Sequence, residues 1–240
     1  MAGNPEIKKV AIGLLISFIG LILLILPLVI DMDLMNGGFA LMFVSFALII
    51  PAGLITAVVY GIRSYTLQNI LNGKNQIVHW KYTPVEWKKY ADEEYKREST
   101  DKMMLFYILV VISILVCFGL FIFADDKEAA LMVTAFMFGL IVFIKLLIYF
   151  TTKNTYKQNR NSIGEVYIGR NGILINKSFH SWNFLSRLED VRLNNDEKII
   201  EFEYSSVSKQ GRNYVVARAP IPEGREKEAI TVQETLKPHL

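Results

Sequence analysis

The chain has 240 residues, 52% of them hydrophobic, with a mean hydropathy of +0.31 and a formal net charge of +3. That apolar content excludes an ordinary soluble domain. The small charge, with no basic patch interleaved with aromatics in the polar part, excludes a dedicated nucleic-acid binder.

The apolar residues gather in four runs, residues 10–30, 39–62, 103–124 and 129–150. Each matches the roughly 20 residues that a helix needs to cross about 30 Å of hydrocarbon. The first three contain no charged side chain and the fourth contains only Lys145. The first run exceeds the roughly 7–15 apolar residues of a signal core, and no small-x-small cleavage site follows Pro27, so an uncleaved helix is expected. Four transmembrane helices follow from this, and a four-helix bundle is the expected arrangement.

Lys and Arg fix the expected orientation. Lys8 and Lys9 precede the first run; Arg63, Lys74, Lys81, Lys88, Lys89, Lys96, Arg97 and Lys102 lie between the second and third; Lys153, Lys157 and Arg160 follow the fourth. The two short turns hold Asp31 and Asp33, then Asp125, Asp126, Lys127 and Glu128. Both termini and the long loop are therefore expected in the cytoplasm.

Polar groups within the spans are few: Ser17, Ser45, Thr56, Ser113, Thr134 and Lys145. A hydroxyl there bonds its own backbone or a neighbouring helix, whereas Lys145 lies close enough to the end of its span to snorkel. Gly53, Ala57 and Gly61 repeat every four residues, and Gly13 with Ser17 and Ala135 with Gly139 share that spacing. Such stripes let helices approach closely, either within one bundle or between copies of the chain. Pro51 and Gly53 allow a bend in the second helix. Cys117 lies among Val116 and Phe118, can form no intramolecular disulfide, and reads as a packing residue.

Between the second and third runs lies HWKYTPVEWKKYADEEYKRE, residues 79–98. Residues 76–82 alternate as a strand does, after an Asn72-Gly73 turn. Thr83-Pro84-Val85-Glu86 then form a capping box with proline at the first helical position, predicting a helix over 84–99. Trp87, Tyr90, Ala91, Glu94 and Tyr95 share one side of it. Three readings stay open: a helix entering the third span with its aromatics at the lipid interface, a strand and helix packing on the C-terminal domain, or an exposed protein-binding surface. The alternation of Lys and Arg with Asp92, Glu93, Glu94 and Glu98 argues against an anionic-lipid patch.

From residue 162 short alternating runs predict strands. Residues 165–170 and 173–177 flank Asn171-Gly172, a hairpin signal. Residues 188–193 and 198–207 flank a turn, Lys209-Gln210-Gly211 turns the chain into 213–219, and 178–184 forms a further strand carrying Trp182. Ala229, Val232 and Leu236 line one face of a helix over 223–237. Strands followed by one terminal helix indicate a small, mostly antiparallel β domain capped by a helix.

The runs GILINKSFHSW, KIIEFEYS and ARAPIPEGREKEA, in this order, resemble bacterial pleckstrin-homology-like domains, and more narrowly the YcxB-like arrangement of membrane helices preceding such a domain. Gly172, Trp182 and Pro220 or Pro222 occupy the matching places. The resemblance covers the C-terminal part only, from Ser162 onward. The family shows two leading helices where this chain has four. It implies a domain that is not an enzyme and that binds a partner, a lipid headgroup or another copy of itself.

Catalytic and metal-binding patterns are lacking. His79, His180 and His239 stand in none of the spacings that ligate zinc, no glycine-rich phosphate loop or nucleophile elbow occurs, and Glu189-Asp190 and Asp196-Glu197 read as solvated. Asp125-Asp126 is too small a pair to define a cation site. No cofactor is expected. The division is into residues 1–62 and 103–150 as paired membrane helices, 63–102 as a cytosolic strand–helix insert and 151–240 as a cytosolic domain. The expected function is a non-enzymatic sensor or assembly protein, with Trp80, Trp87, Tyr90 and Trp182 as candidate interaction residues and Gly53, Ala57 and Gly61 as helix-packing residues. Its partners would be the bilayer, a cytosolic protein or a second copy, and not nucleic acid. A small transporter or pore regulated by the cytosolic domain is the alternative, and a membrane-bound enzyme acting on lipid, with His180 at its centre, is a third.

Overall fold

The computed structural model describes residues 3–123, 126–183, 185–208 and 211–237. Ala124, Asp125, Phe184, Lys209, Gln210 and His239, which the sequence reading touches, lie outside these. Among the described residues, four helical stretches are long and apolar enough to cross a membrane: Glu6–Val29, Phe39–Leu71, Pro84–Ile122 and Lys127–Arg160. The chain forms two units, Met1–Lys81 with Glu165–Leu240, and Tyr82–Gly164.

In the first unit α1 (Glu6–Val29) begins where the Asn4 side chain accepts the Glu6 N–H at 3.0 Å. A π-helical turn at Leu34–Gly38 leads into α2 (Phe39–Val44), a second at Ser45–Ile49 follows, and α3 (Ile50–Leu71) completes the return. Pro51 sits just after the second π turn; a ring that cannot donate is accommodated there by the widened turn.

α1 and α3 run antiparallel and touch in order: Asn4 with Ser64, Glu6 with Arg63, Gly13 with Ala57, Gly20 with Ile50. A Cβ on Gly13 would meet the Ala57 amide nitrogen at 2.7 Å, and one on Gly53 the Ser17 amide nitrogen at 2.6 Å. The Ser17 hydroxyl donates to the Ile50 carbonyl at 3.1 Å. Gly53 and Ala57 thus serve the contact with α1 inside one chain. Gly61 does not, and a Cβ there would meet nothing within 4 Å. Eight residues at about 100° each leave Gly61 roughly 80° off the Gly53 direction. Gly139 is likewise open.

α3 continues past the predicted end of its span to Leu71. Its last turns bury Leu67 and Ile70 completely among Tyr167, Leu174 and Phe179 of the β region. Gly73, at φ 79°, follows the helix end, where the Asn72-Gly73 signal predicts a turn. The chain then enters β1 (Gln76–Lys81), which pairs antiparallel with β2 (Glu165–Gly169) in a sheet of order β1-β2-β3-β4, with β3 at Gly172–Ile175 and β4 at Ser178–Ser181. The β2–β3 turn is Arg170-Asn171, one residue earlier than the hairpin signal suggests, since Gly169 pairs with Gly172. Gly172 is needed for close approach instead: a Cβ there would lie 2.7 Å from the Phe179 ring. A second antiparallel sheet holds β5 (Ser186–Asn194), β6 (Ile199–Ser208) and β7 (Gly211–Pro220) in that order. The final helix, α6 (Glu226–Leu236), buries Ala229, Val232 and Leu236, and its Gln233 amide donates to the Val191 carbonyl of β5 at 3.0 Å.

In the second unit α4 (Pro84–Phe123) is one unbroken helix of 40 residues where the sequence suggests two. Nothing in residues 99–103 breaks it, so the capped helix and the third apolar run share an axis. The capping box forms: the Thr83 N–H donates to Glu86 at 2.8 Å and the Glu86 N–H to the Thr83 hydroxyl at 3.3 Å. α5 (Lys127–Arg160) is capped by Asp126, which accepts from the Glu128 and Ala129 amides. The two helices are antiparallel, with Tyr156 donating to Asp92 at 2.6 Å and Lys102 reaching Thr152 at 3.3 Å.

Candidate functional site at the junction of hairpin and sheet

The densest polar cluster lies where the α1–α3 hairpin meets β4. Glu6, at the start of α1, is completely buried, yet its carboxylate accepts from Lys9 Nζ at 2.8 Å and from Arg63 Nε at 2.8 Å. Two cations around one carboxylate offset the desolvation that an isolated buried charge would suffer. Arg63, near the end of the apolar part of α3, uses its remaining donors on the strand: Nη1 to the Ser181 hydroxyl at 3.2 Å and Nη2 to the Phe179 carbonyl. Its guanidinium carbon lies 5.5 Å from the Phe179 ring centroid and 5.7 Å from that of Tyr60, both within cation–π range. The planar fork lets one side chain tie α1, α3 and β4 together, which a lysine cannot do.

His180, next along β4, places Nδ1 2.9 Å from the Tyr204 hydroxyl of β6 and Nε2 3.3 Å from the Ser178 hydroxyl. Burial, and then the Arg63 charge, push its pKa from an ordinary 6.5 down to about 4, so the ring is neutral at physiological pH. Burial raises the Tyr204 phenol above its ordinary value. Further bonds cross the same junction: the Asn4 amide to the Ser64 carbonyl at 2.8 Å and the Asn183 amide to the Thr66 hydroxyl at 2.7 Å. Each of these polar atoms has an internal partner. Ser178 beside His180 is the nearest approach to a nucleophile and its base, but the ring is a weak base and its other nitrogen faces a phenol in place of an orienting carboxylate. The cluster's chemistry is to hold the apolar hairpin and the sheet in one register.

The four aromatic candidates fall in different places. Trp80 of β1 is 2% exposed and donates Nε1–H to Glu228 of α6 at 3.0 Å. Trp182 is 8% exposed, stacks on Phe202 with centroids 5.5 Å apart, and donates to the Arg170 carbonyl at 2.7 Å. Trp87 is 1% exposed, in the second unit, where its indole donates to the Asn159 carbonyl at 2.7 Å and lies against Gly164; Tyr90 packs on its ring at 5.2 Å. The structure brings Trp80 and Trp182 into the β unit and Trp87 with Tyr90 into the helical unit. The three indoles are anchors of buried packing, with little surface of their own to offer a partner. The block 79–98 is likewise divided, its strand half in the first unit and its helical half in the second.

The Glu6–Arg63 clamp is not among the expectations from sequence. Its signal was an acid opening one apolar run and a base closing the next, at equal depth in an antiparallel pair. His79 stacks on Tyr167 with centroids 3.9 Å apart, its Nε2 3.9 Å from Glu165; burial lowers its pKa and Glu165 opposes that. Among the described residues no three His, Cys, Asp or Glu side chains gather as a metal site requires. Within the candidate spans, Ser45 donates to the Leu41 carbonyl, Thr56 to Ala52 and Thr134 to Ala130, each at 2.7–2.9 Å. No protein-family model, curated protein or solved structure matches this chain.

Proposed function

We propose that this chain is a membrane-anchored, non-enzymatic sensor or assembly protein of the bacterial inner membrane. Both termini face the cytoplasm, and the β unit is a pleckstrin-homology-like interaction module. The observation that carries the proposal is the continuity of α3. One helix is apolar enough to span at one end and contributes Leu67 and Ile70 to the β core at the other. Seven strands among the described residues, in sheets of four and three and closed by a C-terminal helix, support the pleckstrin-like reading. The anchoring reading draws on apolar surface exposed along all four long helices, with Phe18 at 59%, Phe46 at 67%, Phe118 at 66% and Phe136 at 71%. So much exposed hydrocarbon belongs against lipid. Hydroxyls satisfied by their own helices favour an anchor over a conduit.

The test pairs two measurements on the full chain. Alkaline carbonate washing should leave the protein in the membrane fraction, and release would overturn the anchoring. Proteoliposomes holding the purified protein should pass ions and small solutes no faster than protein-free vesicles. Flux that Gly53→Leu or Lys145→Ala abolishes would replace this reading with transport.

A further inference from the structure

The β5-β6-β7 sheet ends on β7, whose residues 213–216 carry none of the charge, proline or bulge that usually protects an edge. From Gly211 to Val216 β7 is exposed, and three successive apolar residues stand there: Tyr214 at 60%, Val215 at 38% and Val216 at 37% exposure. Ala217 is buried, so the open edge stops at Val216. Soluble proteins blunt such edges with lysine, proline or a bulge, because an unpaired edge templates another strand. The β6–β7 pairing runs without a bulge from Ser208↔Gly211 to Ile199↔Pro220.

The face of this sheet away from the core is a ladder of charge. Directly opposed residues share a face, and alternate residues of a strand lie on the same one. Phe202 and Ala217 face the core, so Arg218, Val216, Tyr214 and Arg212 stand on the other face beside Glu201, Glu203 and Ser205. Asp190 and Arg192 of β5 continue the rows of Glu203 and Glu201. Arg218 pairs with Glu201 at 2.9 Å and Arg192 with Glu203 at 2.8 Å. Arg212, at the edge, is 57% exposed and its ion pair with Glu189 is long, at 3.4 Å.

We propose that the occupant of this edge is β7 of a second copy, joined antiparallel about a two-fold axis through Tyr214. Such a pair keeps like faces together, so the axis must pass through a residue and not between two. Centring on Val215 sets Arg212 opposite the partner copy's residue 218, an arginine, and draws in the buried residue 217. Centring on Asn213 sets Val216 opposite residue 210 of the other copy, ahead of the start of β7 at Gly211. Centring on Tyr214 pairs residues 212–216 with 216–212, which is the open stretch and no more. It stacks the two copies' tyrosines at the axis. It also lays each Arg212 over the other copy's Val216, in the row of Glu203 and Asp190, so charge is complementary twice. The result is one six-stranded sheet across two chains. This deepens the assembly reading above and rests on it.

The test uses full-length protein in nanodiscs large enough for two copies and in detergent, with Cys117→Ser removing the native thiol. Under mild oxidation Tyr214→Cys should give mainly disulfide-linked dimer. Asn213→Cys and Val215→Cys should link poorly alone and well when the two are mixed, since each opposes the other. Tyr214→Lys should lower the dimer fraction about tenfold or more by setting like charges face to face, with unchanged far-UV circular dichroism. A dimer that persists in Tyr214→Lys, or that links equally at all three positions, would place assembly on another surface and overturn the edge pairing alone. A chain that is monomeric at every concentration in detergent would overturn both the pairing and self-assembly.

Discussion

At the scale of the residue, Arg63 decides whether hairpin and sheet move together. Replacing it by alanine removes bonds to Glu6, Ser181 and the Phe179 carbonyl while leaving Glu6 buried with Lys9 alone. Breaking a buried ion pair from one side costs about 3–5 kcal/mol, and the retained Lys9 puts this case near the lower end. Thermal unfolding in detergent should show Arg63→Ala destabilised by about 3 kcal/mol, with Arg63→Lys recovering part of the loss; a midpoint within error of the parent would deny the clamp. His180 supplies a pH signature. Its pKa falls from 6.5 unfolded to about 4 folded, so the unfolded state binds the extra proton between these values. The stability it confers, on the order of 3 kcal/mol, is complete above pH 6.5 and is lost as pH falls towards 4. His180→Gln, which retains a partner for Tyr204, should flatten that part of the stability–pH curve relative to the parent, measured as the difference between the two proteins.

Among the elements, the α1–α3 crossing separates glycines that look alike in sequence. Gly53→Ala drives a methyl into the Ser17 backbone, whereas Gly61→Ala enters open space. The first should lose about 1–3 kcal/mol through forced displacement of packed backbone, and the second should gain up to about 1 kcal/mol of helix propensity. Equal effects would show that the helices do not cross as described. Local signals were legible in the sequence: the Thr83–Glu86 capping box, the Asn72-Gly73 stop and the Ala229/Val232/Leu236 stripe each depend on residues within a turn or two. What was not legible depends on distant partners. The extension of α3 was hidden because Leu67 and Ile70 stand among Ser64, Thr66, Gln68 and Asn69, a polar run whose apolar members find their partners only beyond the next two apolar runs. Gly172 read as a turn residue because the Phe179 ring that crowds it is invisible to a local pattern.

For the molecule as a whole, the defining feature is a β unit assembled from two parts of the chain separated by a complete apolar hairpin. β1 precedes α4, β2 follows α5, and Trp80 and Val166 face each other as fully buried neighbours. This arrangement makes the β unit inseparable from the α1–α3 hairpin and β1: residues 165–240 alone lack a strand and the two α3 side chains that fill the core. The candidate site divides the same way: the alternation of β1 lies within one short run of sequence, whereas the Glu6–Arg63 pair exists only in the tertiary register of α1 on α3. The most direct measurement places cysteines at Lys81 and Glu165, which are cross-strand partners, in the Cys117→Ser background. An antiparallel pair holds such positions about 4.5–5.5 Å apart at Cα, within disulfide reach. Thiol labelling with intact-mass detection should show this pair closing spontaneously in air while Lys81→Cys with Asn171→Cys, the latter in the exposed β2–β3 turn, stays reduced. Two free thiols in the first variant, or equal closure in both, would contradict the split β unit.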